Sequence, residues 1–409
     1  MNRVEFVLPP VKTVDAALRK TTEFLARELA HPGSEVPQWS AFEWRIAQAV
    51  AALHGISALL SDVLSWRGPD HWQAFLLEQK KHTLLRQQRI EELLARIDLQ
   101  AWNAGVAMVA LKGAALHQIS IYRAGERPMG DVDLLVDSAD LEGSVRLLRV
   151  TGYVESFSNW RHTVLEPVET RRPVGFGEHV DNPIKIELHT RIMERLPVLE
   201  TDITSLEFPA RAHAGLNPYP SRAALMRHLL LHAAGNMRPR TLRLIQLHDI
   251  ALLAVRMEAA DWEELWNTTA GKRGLWWALP PLTLAARYYP TAIPPSIIAP
   301  LEPGCPRLLK LASRRHRLVD VSWSRVRIQA FPGIEWSESL REAFMFAKSR
   351  VWPSRTALAE LANAVASQPS SRIPWYAQSH GTRIVRWLFS RPPRVQTIFS
   401  VRSALGCEP

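Results

Sequence analysis

The chain has 409 residues, of which 47% are hydrophobic and 22% charged, a balance that is ordinary for globular proteins and excludes general disorder. Its formal net charge of +10 favours acidic partners such as nucleoside triphosphates, nucleic acid, phosphorylated substrates or an anionic membrane surface. The two cysteines, Cys305 and Cys407, are too few and too distant for a disulfide framework or a cysteine-rich zinc site. Without a signal-peptide pattern or a run of roughly 20 apolar residues, the sequence predicts a cytoplasmic protein with no membrane span.

The first quarter of the chain predicts helices. Apolar residues recur at spacings of three and four between residues 14 and 103, which is the period of amphipathic helices. At residue 106 the pattern changes to VAMVAL, an apolar run of strand length, followed by Lys112, Gly113 and the helix-like GAALHQISIY. The sequence therefore predicts a strand that leads directly into a helix.

Further strands are predicted before residue 200. Alternation and β-branched residues in DVDLLV (131–136) favour a strand, and SADLEGSVRLLRVTGY then has a helical pattern with Ser138 as its N-cap. Further on, GFGEHV and IKIELHT flank an Asp-Asn-Pro turn at 181–183, which predicts a hairpin or tight strand connection. Glu187 would lie on the second strand of that hairpin, and residues 106 to about 200 should form a compact α/β unit.

Helical periodicity returns after this unit. It begins again at Ser221 in RAALMRHLLLHAAGN and continues in TLRLIQLHDIALLAVRM, DWEELWNTTA and WWALPPLTLAARYY. After about residue 305 the chain is rich in arginine, tryptophan and proline, and its helices are less clearly marked. A mainly helical second half is therefore expected.

Three carboxylates are the candidate catalytic residues. Asp131 and Asp133 are two apart on a predicted strand, so both point to one face while Val132 and Leu134 face the other. Glu187 supplies a third carboxylate from a different strand. Mg²⁺ prefers carboxylate and phosphate oxygens, and a second ion about 3.5–4 Å from the first would activate an attacking oxygen. The trio therefore suits a two-metal phosphoryl-transfer site.

Four other residues are candidates for binding the nucleotide. Lys112 and Gly113 stand where a strand gives way to a helix, and the glycine would let the backbone approach a triphosphate. Arg127 could bind phosphate from the loop before Asp131, although a surface salt bridge worth about 0–1 kcal/mol is the plain alternative. For His189, bracing of a neighbouring carboxylate is favoured over metal ligation, because Mg²⁺ prefers oxygen donors.

These motifs resemble the DNA polymerase β-like nucleotidyltransferase superfamily, and specifically its branch of uncharacterised bacterial nucleotidyltransferases. The resemblance is carried by LKGAALHQISIYRAGERPMGDVDLLV and by Leu111-Lys112-Gly113, Arg127, Asp131-Val132-Asp133 and Glu187-Leu188-His189 in matching order and spacing. It covers roughly residues 45 to 395 and is most specific in 111–136 and 184–191. Two positions depart from the pattern: Ala114 stands where the superfamily usually has serine or glycine, and Thr190 where the branch often has tryptophan.

The resemblance implies an α+β fold, with a small mixed β-sheet palm flanked by helices and a mainly helical second domain. The expected organisation is an N-terminal helical region (1–104), the nucleotidyltransferase palm (105–205), a helical domain (206–300) and a basic C-terminal helical region (301–409). The implied reaction is metal-dependent transfer of a nucleoside monophosphate from an NTP to a small-molecule, peptide or protein acceptor, with release of pyrophosphate. Mg²⁺ is the implied cofactor, with Mn²⁺ as an alternative, and Asp131, Asp133 and Glu187 would hold it.

Three other functions stay open at this stage. The basic charge is compatible with an RNA acceptor, although no RNA-binding motif is recognisable. A non-catalytic nucleotide-binding protein is a second alternative, for which Ala114 is the only hint. The pair His248-Asp249, with His228 and His232 four residues apart, superficially resembles a metal-dependent HD phosphohydrolase, but the apolar context favours packing histidines. The sequence does not identify the donor nucleotide, the acceptor or the oligomeric state.

Overall fold

The structure is a computed structural model that describes residues 8–159, 162–169, 176–267, 274–355, 358, 379–390 and 393–406. Cys305 is buried with a free thiol, and Cys407 lies outside the described residues. The strands are β1 (Ala107–Ala110), β2 (Asp131–Val136), β3 (Tyr153–Ser158), β4 (His162–Pro167), β5 (Lys185–His189), β6 (Met193–Arg195), β7 (Glu200–Asp202) and β8 (Gly215–Asn217).

Helices precede and follow the strands, as the apolar periodicity predicts. Before and among the strands lie α1 (Val11–Ala30), α2 (Ala41–His54), α3 (Ser57–Val63), α4 (Asp70–Ala104), α5 (Lys112–Gln118), α6 (Leu141–Val150) and α7 (Thr204–Glu207). After them come α8 (Arg222–Met237), α9 (Leu244–Arg256), α10 (Ala259–Asn267), α11 (Leu279–Tyr288), α12 (Pro295–Ile298), α13 (Arg307–Arg315), α14 (Leu318–Val321), α15 (Leu340–Val351), α16 (His380–Ser390) and α17 (Val395–Leu405).

Six strands form one mixed sheet in the order β3-β4-β5-β2-β1-β8. The β2–β5 and β1–β8 pairs are parallel, and the β1–β2, β3–β4 and β4–β5 pairs are antiparallel. In the β2–β5 pair, Asp133 lies opposite Glu187 and Asp131 opposite Lys185. The expected α+β fold, with a mixed sheet and helical regions, is confirmed.

The hairpin predicted around residues 175–190 is wrong in its first half. Residues 176–183 form no strand, and β5 pairs with β2 and β4 instead. The reason lies in α4, where the Gln79 side chain accepts a hydrogen bond from the Glu178 backbone N–H at 2.7 Å and donates to the Glu178 carbonyl at 3.1 Å. A side chain thus satisfies the backbone groups that a strand partner would otherwise pair.

The helix predicted from SADLEGSVRLLRVTGY begins and ends differently. Ser138 does not cap it: residues Ser138–Asp140 form a separate 3₁₀ turn that Asp137 caps by accepting a hydrogen bond from the Ala139 N–H at 2.9 Å, and α6 begins only at Leu141. The helix ends at Val150 and Tyr153 already belongs to β3. Strands β3 and β4, which the sequence did not reveal, follow this helix in the chain and form the edge of the sheet beside β5.

Buried apolar residues form two clusters, one on each side of the sheet. The smaller cluster joins Ile90 and Ile97 of α4 to Val132 of β2 and Ile186 of β5. The larger cluster packs the helices against the other side of the sheet, where it includes Leu135. Each fully buried aliphatic side chain stabilises the fold by about 1.5–3 kcal/mol. Val132 and Ile186 thus face α4, while the carboxylates that alternate with them share the opposite face with Leu135.

No single helix among the described residues has the length and apolar composition needed to cross a membrane. One bent pair, Ala41–His54 with Ser57–Val63, passes by length and composition together, with an angle of 113° between its helices. Much of this pair lies in the larger apolar cluster, including Trp44, Ile46 and Leu60.

Candidate active site

The three predicted carboxylates lie on two hydrogen-bonded neighbouring strands. Asp131 is exposed at the start of β2, and Asp133 is 7% exposed. Glu187 lies beside Asp133 because β2 and β5 run parallel in this register. The alternate residues Val132 and Leu134 are buried in the smaller core cluster, so the strands present these acids on the sheet face away from α4.

Lys112 is bound directly to one of these acids. It is the first residue of α5 and adopts φ 46°, in the left-handed region that non-glycine residues rarely occupy. Its Nζ donates a hydrogen bond to Asp133 Oδ1 at 2.7 Å, and its backbone N–H donates to the Tyr219 hydroxyl at 3.3 Å. The strained turn from β1 into α5 thus places a cation against the carboxylates.

His189 contacts the same carboxylate from β5. Its Nε2 lies 2.9 Å from Asp133 Oδ1 and 3.7 Å from Glu187 Oε2. Burial lowers the pKa of His189, although Asp133 opposes this effect. The neutral ring is therefore favoured, and it makes the kind of contact expected of a bracing residue.

Charge in this cluster is distributed unequally. Burial disfavours ionisation of Asp133, but Lys112 and then the hydrogen bond with His189 lower its pKa well below the usual value. Burial, then repulsion from Asp133 and Asp131, raises the pKa of Glu187 to about 8. Burial lowers the pKa of Lys112, but the neighbouring acids raise it by more, so that its pKa lies above the usual value. One lysine thus compensates part of the charge of three acids.

His162 joins the cluster from β4, although the sequence did not single it out. It lies opposite His189 in the antiparallel β4–β5 pair. Its Nδ1 is 3.6 Å from Glu187 Oε2, and its ring centroid is 5.0 Å from that of His189. The only sequence signal for it is the short alternation in HTVLEP, which does not reveal the pairing partner.

Gly113 makes room for the side chain of Arg127. A Cβ at this glycine would lie 2.3 Å from Arg127 Nη1. The guanidinium is held in place by Asp249, which accepts hydrogen bonds from its Nε at 2.8 Å and from its Nη2 at 2.7 Å. Arg127 therefore pairs with a buried carboxylate instead of a surface one, and its nucleotide-binding role stays a prediction.

Arg86 of α4 fixes the two turns that lead into the catalytic strands. Its Nη2 donates to the Met129 carbonyl at 3.1 Å, just before β2, and its Nη1 donates to the Asn182 carbonyl at 2.6 Å, just before β5. Its Nε forms an ion pair with Glu178 Oε2 at 2.9 Å. This buried arginine holds both turns, and nothing in the helical pattern of α4 distinguishes it from the neighbouring polar residues.

A pocket of about 90 Å³ opens beside the carboxylates. It is lined by Lys112, His162, Glu187, His189, Arg191, His232 and further residues of β6 and α8. The pair His248-Asp249 does not line it: His248 Nδ1 bonds the Tyr289 hydroxyl at 3.0 Å, and Asp249 binds Arg127. Packing contacts thus account for His248 and Asp249, whereas His228, whose Nδ1 lies 2.6 Å from the Tyr219 hydroxyl, and His232 both line the pocket.

The protein has an α+β fold whose mixed sheet carries an acidic cluster beside a lysine-glycine turn. This combination is typical of the nucleotidyltransferase palm. The model of the family described as Uncharacterised nucleotidyltransferase matches residues 40–290. The chain therefore belongs to that family, and the match includes every residue of the cluster. It ends well short of residue 395, to which the sequence resemblance extends. No curated protein and no solved structure matches the chain.

Proposed function

We propose that this protein is a metal-dependent nucleotidyltransferase that transfers a nucleoside monophosphate from an NTP to a small-molecule, peptide or protein acceptor and releases pyrophosphate. The observation that carries the proposal is the register of β2 and β5, which sets Asp133 directly beside Glu187, two residues from Asp131. Family membership supports the reaction class. The acceptor class rests on the sequence resemblance alone.

The donor atoms of the cluster fit Mg²⁺, and Mn²⁺ as an alternative. Asp131, Asp133 and Glu187 offer carboxylate oxygens, which these ions prefer. Repulsion among the acids contributes to raising the pKa of Glu187 to about 8, so a divalent cation would relieve an excess of negative charge. Bound there, the metal would supply Lewis-acid activation of phosphate oxygens and of the attacking group.

The chain's own cations would position the nucleotide. Lys112 Nζ donates a hydrogen bond to Asp133 and could also donate one to a phosphate oxygen bound beside that carboxylate. Arg127 Nη1 lies over Gly113, so part of its charge reaches the start of α5 while Asp249 holds the rest of the guanidinium. His189 would hold the orientation of Asp133 through its 2.9 Å contact. The side chains are thus preorganised before a substrate binds.

The pocket beside Glu187 is the proposed acceptor site. It adjoins Glu187 and His189 and also includes Arg191 of the segment between β5 and β6. An acceptor group held there would be next to the carboxylate proposed to serve the attacking oxygen. Lys112 also lines this pocket, so an acceptor there would lie close to the phosphates that Lys112 is proposed to bind.

The test is transfer of a label from the α-phosphate of each NTP, with Mg²⁺, to candidate small molecules, peptides and proteins, followed by mass spectrometry. Because metal ligation supplies several kcal/mol of transition-state stabilisation, the variant Asp131→Asn with Asp133→Asn should be slower by at least about a hundredfold. Glu142→Gln is the control, since this acid lies on the exposed surface of α6.

Transfer by the double variant at the wild-type rate would overturn the proposal. Calorimetry that detects no Mg²⁺-dependent NTP binding would instead indicate a non-catalytic protein. Label found on RNA, with a steep loss of binding as salt rises, would replace the proposed acceptor by nucleic acid.

A further inference from the structure

Two histidines and a glutamate converge on one point of the sheet. Within the described residues, the side chains of His162, Glu187 and His189 each offer a ligand atom, and these atoms all lie within 4.8 Å of one another. Glu187 Oε2 is 3.6 Å from His162 Nδ1 and 3.7 Å from His189 Nε2. Around an ion with bond lengths of about 2.0–2.1 Å, tetrahedral ligands are separated by about 3.3 Å. Both distances from Glu187 are thus within a few tenths of an ångström of that separation, and the two imidazole nitrogens lie no more than 4.8 Å apart.

Strand register produces this convergence. Glu187 and His189 are two apart on β5, so their side chains share a face. His162 lies directly opposite His189 on β4 and shares that face as well. The pocket beside the carboxylates is lined by all three residues, so an ion can reach them. Rigid strands, and not a loop, hold the three donors.

We propose that His162, Glu187 and His189 form a metal site for a transition-metal ion of the Zn²⁺ type, with two imidazole nitrogens and one carboxylate. Imidazole nitrogen suits Zn²⁺ and Co²⁺, whereas Mg²⁺ prefers oxygen and keeps its waters. His189 can turn from Asp133 to the ion because Lys112 Nζ still donates to that carboxylate at 2.7 Å. Three protein ligands leave a position open for water or a substrate atom.

This site shares Glu187 with the proposed catalytic set but does not rest on nucleotidyl transfer. Its donors differ from those of Asp131 and Asp133, which offer oxygen only. An ion in it would lie at the pocket proposed for the acceptor. The two proposals can therefore fail separately, provided that metal binding is measured without any NTP.

The experiment titrates the full-length protein, stripped of metal with a chelator, with Co²⁺ as a spectroscopic substitute for Zn²⁺. The wild type should bind one equivalent and show the visible absorption of nitrogen-ligated Co²⁺, and a tenfold excess of Mg²⁺ should not displace it. His162→Ala and His162→Gln should each weaken binding at least tenfold. His232→Ala, which lines the same pocket outside the set, should bind as the wild type does, and circular dichroism verifies the fold of each variant.

The proposal would be overturned if both folded His162 variants bound Co²⁺ with wild-type affinity. It would also be overturned if His232→Ala lost as much Co²⁺ affinity as they do, or if Mg²⁺ at a comparable concentration displaced Co²⁺ from the wild type. Absent Co²⁺ binding alongside normal Mg²⁺-dependent transfer would overturn this site and leave the proposed function intact. Co²⁺ binding without any nucleotidyl transfer would do the reverse.

Discussion

Gly113 lies under the guanidinium of Arg127, and this close approach can be tested by adding one methyl group. A Cβ there would be 2.3 Å from Arg127 Nη1 and 2.9 Å from Met129 Sδ. The arginine cannot move away freely because Asp249 binds its Nε and Nη2. We expect Gly113→Ala to lower the free energy of unfolding by about 1–3 kcal/mol, the usual cost of overpacking, as measured by urea denaturation.

Gly130→Ala is the matched control for that substitution. A Cβ at Gly130 would meet no atom within 4 Å, and this glycine has no positive φ. The control should therefore leave the unfolding midpoint almost unchanged. Equal stability of the two variants would show that Arg127 is not held over Gly113.

His54 makes the stability of the protein depend on pH. It is fully buried, accepts a hydrogen bond at Nδ1 from the Leu244 N–H at 2.9 Å, and lies 2.8 Å from the Ser324 hydroxyl through Nε2. Burial, and then repulsion from Arg243, lowers the pKa of His54 to about 3. The unfolded chain binds a proton near pH 6.5, so the contribution to stability is present above that pH and is lost as the pH falls towards 3.

We expect this loss to amount to about 2 kcal/mol between pH 7 and pH 5, at about 1.4 kcal/mol per pH unit below 6.5. His54→Asn should be less stable than the wild type at pH 7 but should lose less stability on acidification. Unfolding free energies at both pH values measure this difference. Parallel pH profiles for wild type and variant would contradict the assignment.

At the scale of elements, Arg86 links the turns before β2 and β5. Its guanidinium donates to the Met129 and Asn182 carbonyls and pairs with Glu178. Lysine keeps the charge but has no planar fork to reach both turns. We expect Arg86→Lys to cost about 1.5–3 kcal/mol of stability and to speed hydrogen exchange in residues 129–130 and 178–182.

Arg96→Lys is the control for this prediction, since Arg96 lies exposed on the same helix. It should change neither the unfolding free energy nor the exchange pattern. Unaltered exchange in both turns of Arg86→Lys would mean that other contacts fix the strands.

Strands β2 and β5 could be predicted from the sequence because each alternates apolar with polar residues over a buried face. The burial of Val132 and Ile186 in the smaller cluster agrees with that prediction. Strand β3 could not be found in this way, because most of its side chains are exposed or half-buried. The carboxylates and Lys112 were therefore identified, whereas His162 was missed because its place depends on pairing between β4 and β5.

Long-range pairing also explains why the role of Arg127 could not be predicted. Its partner Asp249 lies on α9, 122 residues further along the chain, and no local pattern encodes such a contact. Tyr122 completes the group by donating its hydroxyl to Asp249 Oδ1 at 2.6 Å. This buried group joins the loop before β2 to the helices that follow the sheet.

We expect the buried group of Tyr122, Arg127 and Asp249 to contribute to the stability of the whole molecule and not to a hydrolytic activity. Removing Asp249 alone leaves the charge of Arg127 buried and unpaired, so Asp249→Leu should cost about 3–5 kcal/mol. Replacing both partners, with Arg127→Met and Asp249→Leu, should cost less than either single change, because no unpaired charge remains. Tyr122→Phe removes one charge-assisted hydrogen bond and should cost about 1.5–3 kcal/mol.

Urea denaturation of the two single variants and the double variant measures the coupling between Arg127 and Asp249, and Glu142→Gln in an exposed pair is the control that should change stability little. Additive losses would contradict the buried ion pair.

Phosphate-ester cleavage, assayed with a transition metal, should be the same for the wild type and a folded His248→Gln variant, because His248 bonds the Tyr289 hydroxyl and lies outside the pocket lining. If the wild type cleaves the ester and His248→Gln does not, His248 and Asp249 would instead belong to a metal-dependent hydrolytic site.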